Sequence, residues 1–143
     1  MTKLEEIEQI IYDIEIEIVE TDKINDKSAI FKDFNNEYPT VITINKNKIE
    51  DSKDHLVSLS HELGHYNTHG FYHSYMLKSY KRKTEYNANV DSVLRLIPIK
   101  KLRKLLQCGY LSRFEIAEEF SVPEDFIDEA IHIYKRKGLL AYW

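Results

Sequence analysis

Apolar residues recur at helical spacing from the start of the chain, at Leu4, Ile7 and Ile11, with Thr2 ahead of them and Glu5 three residues further on. The spacing predicts a helix with one buried face, and the Thr2/Glu5 pair predicts a capping box. The period then changes. Ile14-Glu15-Ile16-Glu17-Ile18 alternates strictly, which predicts a strand with isoleucines inward and glutamates in water. Asn25-Asp26 marks a turn, Ala29 to Phe34 predicts a second, weaker strand, and Asn35, Asn36 and Pro39 mark another turn. Thr40-Val41-Ile42-Thr43-Ile44 is rich in β-branched residues and predicts a third strand. Connections this short favour an antiparallel sheet.

From Asp51 to Asn67 the pattern is helical again, with Asp51 or Ser52 as the N-cap. Leu56, Val57, Leu59 and Leu63 fill one arc with the small Ser60 and Gly64, and Asp54, Ser58, His61, His65 and His69 fill the opposite one. Gly70 is the expected end of this helix. A further helix is expected from Lys83 to Leu96, closed by Pro98, with Val90, Val93, Leu94 and Ile97 as its apolar face. Ala88 shares a side with Glu85, so the two helices can approach closely. Beyond Pro98 the chain reads as helical throughout. Leu102, Leu105 and Leu106 share one side of 99–108. Ser112…Glu115 and Ser121…Glu124 have the form of two capping boxes, and the residues between and after them resemble a helix-turn-helix, with Gly138 as the C′ residue of the last helix.

Composition narrows the class without naming an activity. With 143 residues, 43% of them hydrophobic, the chain suits one compact domain. A net charge of −4 argues against nucleic acid or a membrane surface as the main partner. The single cysteine, Cys108, permits no internal disulfide. The N-terminal residues lack the apolar run of a signal peptide, and no stretch approaches the roughly 18 apolar residues of a membrane span. A cytoplasmic location is the expectation.

The chemistry is concentrated in His61-Glu62-Leu63-Gly64-His65, an H-E-x-x-H sequence. Residues four apart on a helix lie on one face, so the two imidazoles can reach one metal ion, with Glu62 placed to take a proton from a water on it. Two imidazoles and a carboxylate with an open fourth position suit Zn2+. Three fixed positions match often by chance, but the apolar arc behind them is what a buried metal-bearing helix needs. The third ligand must come from elsewhere. His69 lies about 12 Å from His61 along a straight helix, too far to share an ion. His73 falls in the aromatic stretch after Gly70. Glu85, twenty residues past His65, is the best candidate: it opens the next expected helix, which is the general gluzincin pattern, and the alternative is a surface residue stabilising a helix N-terminus beside Lys81, Arg82 and Lys83. The metzincin pattern needs a glycine and a histidine where this chain has Thr68 and Phe71. His69, Tyr72 and His73 are candidates for substrate contact or oxyanion stabilisation. His55 and His132 read as ordinary exposed residues.

The span from Thr40 to Pro98 resembles the ImmA/IrrE family of bacterial and phage metallopeptidases. The resemblance is carried by Ile44-Asn45, by Leu59-Ser60-His61-Glu62-Leu63-Gly64-His65, and by Glu85-Tyr86-Asn87-Ala88-Asn89 leading to Leu94-Arg95-Leu96-Ile97-Pro98. It implies that His61, His65 and Glu85 hold zinc and that Glu62 is the general base. It also implies an intracellular endopeptidase with a narrow protein substrate: a helix-turn-helix repressor of a phage or mobile element, whose cleavage relieves repression. The expected fold is α+β and zincin-like. An N-terminal helix and a three-stranded antiparallel sheet pack on the His-bearing helix within residues 1–98, and a helical lobe of helix-turn-helix character, 99–143, packs on that core. Two other classes are compatible with the sequence. One is a metal-binding anti-repressor that acts by binding without cutting, and it would tolerate Glu62→Gln. The other is a DNA-binding regulator, disfavoured because its recognition helix would begin Pro123-Glu124-Asp125 and continue with Asp128 and Glu129, acids that would meet phosphates.

Overall fold

The computed structural model describes residues 1–72, 76–109 and 111–140. Helix α1 spans Lys3–Asp13 and begins as its sequence predicts: Thr2 Oγ1 accepts the Glu5 N–H at 3.1 Å, and Glu5 returns a carboxylate to the Thr2 N–H at 3.0 Å. Ile7 and Ile11 are its buried face. The alternating run after it is not one strand. Ile14 is the C-cap, Glu15 turns left-handed at φ 62°, and the Ile16 N–H closes on the Ile11 carbonyl at 3.2 Å. This is a Schellman end, in which a left-handed C′ residue lets the next N–H reach back to a free carbonyl. Strand β1 therefore starts late, at Glu17–Glu20, and of Ile14 and Ile16 just before it only Ile16 is buried.

Strands β2, Ser28–Phe31, and β3, Val41–Ile44, complete a sheet of order β1-β3-β2. β2 is antiparallel to β3, but β1 is parallel to it, so the expected all-antiparallel sheet is corrected to a mixed one. Short connections did reverse the chain twice; what they do not dictate is adjacency. The most β-branched segment takes the doubly flanked centre, where Ile42 and Ile44 are buried. β2 stops at Phe31 because the Asp33 carboxylate gathers the N–H groups of Asn35, Glu37 and Tyr38 into a turn.

Helix α2, Ser52–Asn67, is capped by Asp51, whose side chain accepts the Asp54 N–H. Helix α3, Lys78–Leu96, starts five residues earlier than its apolar pattern suggests, so Glu85 lies well inside it and does not serve as an N-terminal anchor. The two helices touch at Gly64, where a Cβ would stand 2.4 Å from the Ala88 carbonyl oxygen. Beside that contact a buried polar group is fully paired: Ser92 Oγ donates to Ser60 Oγ, and Arg95 reaches both Ser60 and Asp91.

Helices α4, Ile99–Gln107, α5, Arg113–Phe120, and α6, Glu124–Arg136, follow. The Ser112/Glu115 box is formed, but the second expected box is not: Ser121 is the left-handed C-cap of α5, and Pro123 starts α6 without a side-chain cap. Gly138, at φ 76°, sits after the Lys137 C-cap of α6, where Gly138 and Leu139 N–H groups close the helix end. Ile116, Phe120, Phe126, Ile127 and Ile133 share one apolar cluster with Leu56, Leu59 and Leu63 of α2, and the buried Tyr134 hydroxyl donates to the Ile97 carbonyl at 2.6 Å. The observed class is α+β, with six helices and a three-stranded mixed sheet among the described residues. No helix among them is long and apolar enough to cross a membrane.

Candidate metal centre

One turn of α2 brings His61 and His65 together with their Nε2 atoms 3.1 Å apart, and α3 brings Glu85 to both: Oε2 lies 2.9 Å from His61 Nε2 and Oε1 lies 3.0 Å from His65 Nε2. The far ring nitrogens decide what faces inward. His65 Nδ1 lies 2.7 Å from the Gly70 carbonyl, an acceptor only, so Nδ1 carries the proton and Nε2 offers a lone pair. His61 Nδ1 lies 2.7 Å from Asn89 Oδ1 in the same relation. Two lone pairs and a carboxylate thus converge on one point, an arrangement that repels itself unless a cation or a proton stands between. Ligands at Zn–N distances of 2.0–2.1 Å in a tetrahedron stand about 3.3 Å apart, close to the separations here. The residues therefore fit a divalent ion, with Asn89 and Gly70 orienting the two rings from behind.

The Gly70 carbonyl is delivered by the end of α2 itself. Thr68 is the C-cap and His69, not Gly70, takes the left-handed position at φ 55°. That turn sends the Gly70 N–H back to the His65 carbonyl at 2.9 Å, and the Gly70 carbonyl to the His65 ring. The expected glycine stop is thus corrected by one residue, and His69 is exposed.

The electrostatics follow from this crowding. Burial would raise the Glu85 carboxyl, but His61 and His65, which donate to it when Nε2 is protonated, and the Tyr72 hydroxyl outweigh that and hold it well below the usual carboxylate range. Burial would lower His61, yet Glu85 and Glu62 beside it raise it above 6.5. Glu62 is 4% exposed, and burial pushes its carboxyl up against the opposing pull of His61 and Ser28. Its Oε2 accepts the Ser28 hydroxyl at 2.6 Å. The Tyr72 hydroxyl donates to Glu85 Oε1 at 2.8 Å, and burial together with that carboxylate pushes it up to about 12, so at neutral pH it remains a donor. His73 lies outside the described residues. His132 is exposed, whereas His55 is half-buried on α2, contrary to expectation. The sequence reading missed Ser28, Asn89 and the Gly70 carbonyl as parts of this site; the Asn89 signal was its place one turn after Glu85 on the same helix.

The cluster opens into a cleft of about 700 Å³ whose wall is β2 and its flanks, with Phe31, Phe34 and Phe71 at one end. β3 is the central strand, so the edge beside the site belongs to β2. Its phase can be read from two bonds. The Asn45 N–H donates to the Lys27 carbonyl at 2.9 Å, and the Ile44 carbonyl accepts from Thr21 on the β1 side. Hydrogen-bonded pairs alternate along an antiparallel ladder. Ala29 and Phe31 therefore bond β3, and the N–H and C=O groups of Ser28 and Ile30 point to the free edge.

A histidine pair on one helix, a carboxylate from the next and a buried glutamate beside them define a centre of metallopeptidase type. The chain belongs to the Peptidase_M78 family, whose IrrE N-terminal-like domain matches residues 13–132. No curated protein and no solved structure matches it.

Proposed function

We propose that this protein is a zinc-dependent endopeptidase of the cell interior that cuts one protein substrate, a helix-turn-helix repressor of a phage or mobile element. The observation that carries the peptidase reading is the convergence of His61 Nε2, His65 Nε2 and the Glu85 carboxylate within 4.8 Å of one another, beside a buried carboxylate that is not part of the cluster. When bound there, zinc supplies an acidified water and polarises the scissile carbonyl. The chain's own residues do the rest. Glu62 takes the proton of the attacking water on its free oxygen and passes it to the leaving amine. Among the described residues, the Tyr72 hydroxyl, which donates to Glu85 Oε1 beside the cluster, is the donor assigned to the developing oxyanion once that bond is released. The Ser28 and Ile30 main-chain groups dock an extended segment as an added strand. A strand-docking cleft requires the cut segment to be extended when bound, so a linker or a locally unfolded stretch of the repressor is the part recognised. The repressor itself follows from family kinship.

The DNA-binding alternative is weakened by the first turn of α6, where Glu124 and Asp125 sit and Arg113 is already paired with Glu124 and Asp128. The binding-only anti-repressor is separated by experiment. The zinc-loaded protein and its Glu62→Gln variant are incubated with the repressor encoded beside the gene, and the products are weighed intact. Two defined fragments with the wild type alone, abolished by a chelator, are expected. Binding by both proteins without cleavage by either would replace the peptidase with the antagonist.

A further inference from the structure

Ser28 is the first residue of β2, and its main chain and its side chain face different parts of the site. Its N–H and C=O lie on the edge that faces away from β3, where a docked strand would bond them. Its hydroxyl points to the opposite task, donating to Glu62 Oε2 at 2.6 Å across 34 residues of sequence. Side chains two apart on a strand share a face, and Ile30 on that face packs on the apolar core under the sheet, so the direction of the Ser28 hydroxyl is fixed by burial of its neighbour. Among the described residues, Ser28 is the one hydrogen-bond donor to the Glu62 carboxylate. Among the described residues no buried side-chain nitrogen or oxygen is left without a partner.

A glutamate has three side-chain torsions, and the last is broad, so a buried carboxylate with nothing to hold it can present either oxygen over a range of angles. A short bond to one oxygen removes that freedom. Oε2 is committed to Ser28, and Oε1 is left to meet the water. We propose that Ser28 is a positioning residue for hydrolysis: its hydroxyl fixes Glu62 while its main chain fixes the substrate strand, so a single residue sets the distance between the bound peptide and the base. The inference rests on the peptidase reading above.

Two measurements test it. The first is steady-state cleavage of a quenched-fluorescence peptide spanning the mapped cut, by zinc-loaded wild type, Ser28→Ala and Ser28→Thr. The alanine variant is expected to lose about tenfold or more in kcat with KM within about twofold, because strand docking uses the main chain that it retains, and the threonine variant recovers most of that loss. Zinc content stays the same in all three. A rise in KM with kcat preserved, or a threonine variant as slow as alanine, overturns the proposal. The second needs no catalysis: a thermal-melting cycle of Ser28→Ala, Glu62→Ala and the double variant. The change in Tm from Ser28→Ala is expected to vanish once Glu62 is gone. Additive shifts overturn the Ser28–Glu62 link whether or not the protein cuts. Coupled shifts with no cleavage by the wild type overturn the peptidase reading instead, and the catalytic role of Ser28 with it.

Discussion

His61 is held at both ring nitrogens, by Asn89 behind and by Glu85 in front, and this double hold makes the site sensitive to pH. In the metal-free protein Glu85 raises the His61 pKa above its unfolded value of 6.5. A raised folded pKa gives stability that is fully present below 6.5 and is lost as pH rises through the folded value. Glu62, raised from 4.5 by burial, works in the same direction. Glu85 is depressed, so its contribution is present above 4.5 and is lost only as acid titrates it well below that. The Tm of the chelator-treated protein is therefore expected to fall as pH rises above about 6.5. Zinc must displace the His61 proton, so its affinity should strengthen over the same range, by up to about tenfold per pH unit below the raised value. Parallel trends in melting and metal titration would contradict the site's proton-for-metal exchange.

At the scale of elements, the site depends on how closely α2 and α3 approach. Gly64 lies one residue before His65, and Ala88 lies between Glu85 and Asn89, so their contact sets the distance between the two halves of the ligand set. Gly64→Ala should destabilise by about 1–3 kcal/mol, as overpacking does, and should weaken zinc binding by pushing Glu85 away from the histidines; chemical denaturation and metal titration read the two effects. This contact was legible in the sequence, as were the capping box of α1, the His-bearing helix and its apolar arc, because each depends on residues a few positions apart. Sheet order was not. Strict alternation at 14–18 cannot distinguish a strand from a helix end whose left-handed residue is Glu15, and short loops fix direction without fixing which strands are neighbours. Ends at Glu15, His69 and Ser121 evaded a search for glycine, since their left-handed turns are carried by other residues. Ser28 could not be found because its role depends on β2 being an edge, and the Gly70 carbonyl leaves no side-chain signature.

Across the whole molecule, an apolar core continuous from α1 to α6 holds α2 against the sheet on one side and α3 on the other. The His61, His65 and Glu85 cluster lies where the β2 edge, the end of α2 and the middle of α3 meet, open to a cleft of about 700 Å³. That His61, His65 and Glu85 together hold the ion rests on their convergence in a chain of this family. The most direct test of that claim is the metal content of the purified protein and of its Glu85→Ala variant, measured by elemental analysis alongside circular dichroism. One zinc per chain is expected in the wild type, and a severe loss of zinc in the variant while the helical spectrum is kept. One zinc per chain retained by a folded Glu85→Ala protein would contradict it and move the third ligand elsewhere.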